Sequence, residues 1–179
     1  HSIRAAIGGP SAVTNGVTYV HAAYSYDLAV NDSEPVQATA TPHEPVVVTF
    51  PDANLEQAMR HLTGVGSGDI TDLDLLPLTE LDLASNQITD LTGLQWCVNV
   101  TALVLANNDL TDDSNLDVLA AMTALTELEL GGADLTTLAP LADLTGLTRL
   151  EFSCPQVSDL APLASLTGLT SLRFGDLAI

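Results

Sequence analysis

The chain has 179 residues, room for one domain or for one domain and a fragment. Apolar residues make up 46% of it, enough for a sizeable core, yet no run of 18 apolar residues is present to span a membrane. Twenty-three acidic residues against four arginines and no lysine set the net charge at -19, which repels nucleic-acid phosphates and anionic membranes and suits either a basic partner or a generally solvated acidic surface.

The first 45 residues are rich in Ala, Val and Thr and hold all three tyrosines, Tyr19, Tyr24 and Tyr26. The stretch AYSYDLAVNDSEPVQATATP has strand-like pieces punctuated by Asn, Asp and Pro. It is weakly similar to a segment of bacterial immunoglobulin-like surface modules, although 45 residues are too few for a whole sandwich. Residues 1–45 are therefore read as a linker or as a piece of an upstream β module. The first residue is His1, without the charged and apolar regions of a leader, which fits a removed signal or a piece of a longer protein.

Residues 46–77 predict a helical cap. In VTFPDANLEQAMRHLTGVGSGDI, Pro51, Asp52 and Glu56 suit a helix start, and Leu55, Ala58, Met59 and Leu62 make one apolar face. Gly64, Gly66 and Gly68 then end the helix. TDLDLLPL adds a second short helix, with Thr71 at the N-cap and Asp74 at N3.

From residue 78 to 179 the chain aligns on itself. Units open at Leu78, Val100, Leu125, Leu147 and Leu169, spacings of 22, 25, 22 and 22; four are full and the fifth is truncated at Ile179. In the first unit Leu81 and Leu83 have the spacing of a strand, pointing inward while Asp82 points out. Later leucines at spacing three, such as Leu138, Leu141 and Leu144, suit a tight helical turn on the opposite side. The second unit carries three extra residues, and its DDSNLDVLAAM, with Leu116, Leu119 and Met122, predicts a short true helix. One coil cannot bury its own leucines. Stacked coils can, at about 1.5–3 kcal/mol per buried leucine, and neighbouring strands then pair in parallel. Beyond Ile179, further repeats or a C-terminal cap are expected to cover the last leucines.

The repeat L-x-x-L-x-L-x-x-N-x-L, with ITDLTGL, LAPLADLTGLTRL and LAPLASLTGLTSL, resembles the bacterial leucine-rich repeats of the 22-residue internalin-like subclass. FPDANLEQAMR is similar to the helical cap that precedes many such repeats. The resemblance implies an α/β solenoid with a concave parallel sheet, short helical turns on the convex side and a helical N-terminal cap. It also implies a protein-binding role outside the cell or at the cell surface. In that family the motif Asn bonds backbone groups of the neighbouring turn. Asn86 and Asn108 match, while Ala133, Pro155 and Leu177 depart, and Pro155 must make its turn irregular.

No catalytic, cofactor or metal site is assigned. His1, His21, His43 and His61 are scattered, and His61 suits the end of the cap helix. Ser153 beside Cys154 has no G-x-S-x-G frame. Asp109, Asp112, Asp113 and Asp117 are the densest carboxylates, but they lack EF-hand order, and helix starts and turns use Asp in the same way. Cys97 and Cys154 fall at different repeat positions and are read as unpaired thiols.

The outward strand positions line up in three columns: residues 80, 102, 127, 149 and 171; 82, 104, 129, 151 and 173; and the small residues at 84, 106, 131, 153 and 175. The candidate binding face is Glu80, Asp82, Val104, Glu127, Glu129, Arg149, Glu151 and Arg173. It is mostly acidic and suits a basic or mixed-charge protein partner. It carries no aromatic anchor, and Arg149 is also placed to pair with Glu127, Glu129 or Glu151 within the sheet. A rigid spacer, or an ancillary module of a larger enzyme, is the rival to binding.

Overall fold

The computed structural model describes residues 44–131 and 134–175, and the backbone of two further strands, β1 (Tyr19–Ala23) and β2 (Val36–Ala40). The chain divides into the units His1–Pro45 and Val46–Ile179. In the first, β1 and β2 pair antiparallel, Tyr19 opposite Ala40 and Ala23 opposite Val36. Tyr24, Tyr26 and the remainder of the expected strand-like stretch lie outside the described residues, as do Ala133 and Leu177.

The second unit is a stack of coils closed at one end by two helices. Helix α1 (Ala53–Thr63) starts because the Asp52 carboxylate accepts the backbone N–H groups of Asn54 and Leu55, at 2.8 and 2.9 Å. It ends at Gly64, whose φ of 76° lets its N–H turn back to the Arg60 carbonyl. Leu55 and Met59, one turn apart, are fully buried, with Ala58 packed against the core. Leu62 departs from the expected apolar face. It lies one turn further on, where no described residue covers it, and it is exposed. Helix α2 (Asp72–Leu75) has the expected boundary: the Asp74 carboxylate accepts both the N–H and the hydroxyl of Thr71.

Five strands then form one parallel sheet in chain order: β3 (Glu80–Asp82), β4 (Ala102–Val104), β5 (Glu127–Gly131), β6 (Arg149–Ser153) and β7 (Ser171–Gly175). The register is Leu81 to Leu103 to Leu128 to Leu150 to Leu172, so the repeat alignment is also the strand alignment. The inward residues of β3 to β6 are buried. In β7, the outermost described layer, Leu172 and Phe174 are exposed, and Phe174 stacks on buried Phe152 with ring centroids 5.9 Å apart.

The opposite side is a row of 3-10 turns: Leu94–Trp96, Asp113–Ala121, Ala139–Asp143 and Ala161–Ser165. The helix expected in the second unit is thus a 3-10 helix rather than an α-helix. Its apolar spacing is the reason. At three residues per turn Leu116, Leu119 and Met122 all reach the core, and all are fully buried; α geometry would swing each successive one by about 60°.

Polar bonds join one coil to the next. Asn108 is buried; its Oδ1 accepts the N–H groups of Asn86 and Ile88 in the preceding coil, and its Nδ2 donates to the carbonyls of Leu83 and Leu105. Among the described residues Asn86 reaches only the Ala84 carbonyl of its own turn, since the cap rather than a coil precedes it. There the cap substitutes: Asp52 accepts the N–H and hydroxyl of Thr89, and Asn54 donates to the Gln87 carbonyl. Asn115 repeats the device on the turn side, accepting from Leu91 N–H and donating to the Thr89 carbonyl. Before each later strand a threonine hydroxyl donates to the carbonyl of the threonine one coil back, linking Thr79, Thr101, Thr126, Thr148 and Thr170. In the fourth unit Pro155 is exposed while Cys154 is buried, and the Cys154 carbonyl accepts from Val157 N–H; this is an ordinary four-residue turn with proline at its second position, where no backbone N–H is needed, rather than the irregular turn expected.

Candidate functional site

Strand alternation leaves one face of the sheet open, and the pairing register fixes who neighbours whom on it. Glu80, Ala102, Glu127, Arg149 and Ser171 lie side by side, as do Asp82, Val104, Glu129, Glu151 and Arg173. All eight candidate residues therefore fall in two adjacent columns.

Their charges are distributed unevenly. Arg149 stands between Glu127 and Glu151, 3.4 Å from each, and Arg173 reaches Glu151 at 3.8 Å. These pairs are half to mostly exposed, so each contributes at most about 1 kcal/mol. The expectation that Arg149 pairs within the sheet holds for Glu127 and Glu151 but not for Glu129. Half-buried Glu129 makes no ion pair among the described residues. It stands directly opposite Glu151 on the neighbouring strand, a like-charge pairing that costs stability. At the other end Glu80 and Asp82 have no cation beside them among the described residues, and Asp82 accepts the Ala84 N–H at 3.1 Å.

The third column sets the depth of the surface. Ala106, Gly131, Ser153 and Gly175 floor an open groove of about 550 Å³, walled by Glu129, Glu151 and Arg173. A smaller depression of about 40 Å³ sits between Ala102, Val104, Glu127 and Arg149, and Glu129 lines both. The groove was legible only as a column of small residues. The threonine ladder that links the coils had a signal in the T-x-L that opens each strand, recurring at the repeat spacing, whereas Asn115 had none.

The remaining candidate chemistry serves the fold. Asp112 caps the 3-10 helix through Ser114 N–H; the Ser114 hydroxyl, and after it that N–H, hold its carboxyl below the usual range. Asp113 accepts from the N–H and hydroxyl of Thr136 in the next coil. No group of three or more His, Cys, Asp or Glu suited to a metal ion occurs among the described residues. Both cysteines are free and buried; burial pushes the Cys97 thiol up to about 12, and burial with the nearby Asp113 charge pushes Cys154 up to about 11. His61 is exposed in the last turn of α1, and the side chains of His1, His21 and His43 lie outside the described residues.

A leucine-rich repeat family model matches residues 75–91. Among solved structures, the internalin inlF from Listeria monocytogenes is similar over 73% of this chain and 45% of its own, at 26% identity and a TM-score of 0.60. The functional domain of InlJ from Listeria monocytogenes, which includes a cysteine ladder, is similar over 73% of this chain and 37% of its own, at 22% identity and a TM-score of 0.50. This chain therefore spans less than half the length of either. The comparison with curated proteins gives no match. Fold, repeat and comparisons agree on the architecture: the chain forms a leucine-rich-repeat solenoid similar to that of the internalins.

Proposed function

We propose that the chain is a non-catalytic protein-binding module of a secreted or surface-displayed bacterial protein, and that it binds through the open face of the sheet. One observation carries this reading: ten outward positions in two aligned columns hold five carboxylates and two guanidiniums on a rigid parallel sheet, with a groove beside them. Nothing in the folding of the coils requires those charges, and the Glu129–Glu151 pairing works against it. The partner is a protein of basic or mixed charge, steered by the acidic field; a net charge of -19 disfavours nucleic acid. Among the described residues no helix is long and apolar enough to cross a membrane. The likeness to inlF supports a binding role and a place outside the cell.

The test is a pull-down from candidate partner extracts with this chain beside a variant carrying Glu127→Gln, Glu129→Gln and Glu151→Gln. A specific protein captured by the first and lost by the second is the expected result. Capture that survives the substitutions moves the site to the turn side or to residues 1–45, and capture of nothing favours a spacer.

A further inference from the structure

We propose that the groove beside Glu129 receives an extended segment of the partner that carries a lysine or arginine. The stem of that side chain lies over Gly131 and Ser153, and its cationic head sits between Glu129 and Glu151. This rests on the sheet-face reading above and narrows it to one end of the strands and one partner chemistry.

Space is the first ground. The floor residues Ala106, Gly131, Ser153 and Gly175 carry nothing longer than a hydroxymethyl, exposed Phe174 lines the groove beside them, and the floor runs from Ala106, two residues past β4, across β5 and β6 to β7. At about 4.8 Å per strand the trough is about 14 Å long, the reach of roughly four extended residues. No described residue fills it. A Cβ placed on Gly131 would meet only Ala106, at 3.5 Å, and one placed on Gly175 would meet only the Ser153 hydroxyl, at 3.8 Å.

Charge is the second ground, and it names the occupant. Each described arginine is already engaged: Arg60 by Glu56, Arg149 by Glu127 and Glu151, and Arg173 by Glu151. Glu129 is left without a cation among the described residues, half-buried and opposite a second carboxylate, Glu151, on the neighbouring strand. A cation entering from outside relieves that repulsion, and the groove leads it to the spot. A calcium ion is the lesser fit, because it gathers six to eight oxygens and the wall here offers two carboxylates beside a guanidinium. A side-chain cation needs fewer partners and brings an apolar stem suited to a smooth floor.

A random heptapeptide phage library panned on the full chain tests this, followed by synthetic versions of the enriched peptides measured by fluorescence anisotropy. Enriched peptides should share Lys or Arg at one fixed position. Their affinity should weaken about tenfold with Glu129→Gln or with Ser153→Leu, and fall as salt rises. It should not change with Asp143→Asn, an exposed carboxylate on the turn side. Arg173→Gln should tighten binding several-fold by freeing Glu151, an effect that damage to the fold cannot mimic and that keeps the test decisive if Ser153→Leu fails to fold. Peptides without a basic position, or peptides lost with Glu80→Gln yet indifferent to both groove variants, would overturn the groove assignment while leaving the sheet face as the binding surface. No enrichment at all would also overturn it, and the protein pull-down would still decide on the face independently.

Discussion

Replacing Asn108 with alanine isolates the bond set that holds one coil to the next. The side chain is buried and makes four bonds: it accepts from Asn86 N–H at 3.1 Å and Ile88 N–H at 3.0 Å, and donates to the carbonyls of Leu83 and Leu105 at 2.9 and 3.0 Å. Alanine strands both N–H donors in a buried turn. At about 1–3 kcal/mol for each orphaned group the cost is about 2–6 kcal/mol, and one water entering the vacated polar space would keep it near the lower half. Asn86→Ala is the internal control. That side chain is half-buried and donates once, to Ala84 of its own turn, so its loss should cost about 1 kcal/mol or less. Urea unfolding followed by far-UV circular dichroism reads the difference. With a slope of about 2 kcal/mol/M, a 3 kcal/mol loss lowers the midpoint by about 1.5 M for Asn108→Ala, and the control barely moves. Equal shifts for the two variants would refute the claim that inter-coil bonding, rather than the motif residue as such, supplies the stability.

Leu128→Ala should cost about 2–5 kcal/mol because Leu128 is a buried rung of the leucine stack, whereas Glu129→Ala, one residue on and outward-facing, should change unfolding by less than about 1 kcal/mol; similar costs would mean the strand register is wrong. Asp52 predicts an acid dependence. Burial by itself would raise its pKa, but the N–H of Leu55, the N–H and hydroxyl of Thr89 and the N–H of Asn54 outweigh that and hold it below the ordinary 3.8. A depressed folded-state pKa means its stabilisation is present above about pH 4 and is lost as pH falls through the lowered value. The stability gap between the native chain and Asp52→Asn should therefore be open near neutrality and close on strong acidification; a gap that stays constant to pH 2 would show that ionised Asp52 does not tie the cap to the first coil. Cys97 and Cys154, raised to about 12 and 11 and fully covered, should not react with a thiol reagent at pH 8 in the folded chain, and both should react in urea; rapid labelling without denaturant would show that the surrounding coil opens.

The strand register, the coil boundaries and the cap were legible because each follows from local periodicity: L-x-L fixes which residues face inward, and the repeat length fixes which strands pair. The charge columns followed from the register alone. What was not legible depends on distances between coils. Asn115 does the work of a motif Asn from a turn position that the repeat pattern does not mark, because a side chain can reach the neighbouring coil from either side of the stack. Asp52 reads as a helix cap, and only the docking of α1 brings its second oxygen to Thr89. Leu62 fits the helix face but lies beyond what the first coil covers. The groove is a property of small side chains in register on β5, β6 and β7, extended by Ala106 just past β4, and its depth comes from what those residues lack.

Folding demands some of these residues and leaves others free. Leucines fill the inward positions because packing requires them, and threonine and asparagine sit where backbone groups must be satisfied. The outward strand positions answer to neither requirement. A fold under no other pressure would place opposite charges across its strands, and this sheet does so only around Arg149 and Arg173. It leaves Glu80, Asp82 and Glu129 uncompensated by any described residue, on a chain with four arginines in all. An unbalanced face on a rigid scaffold is a cost to the isolated chain, and a cationic partner is what would recover it.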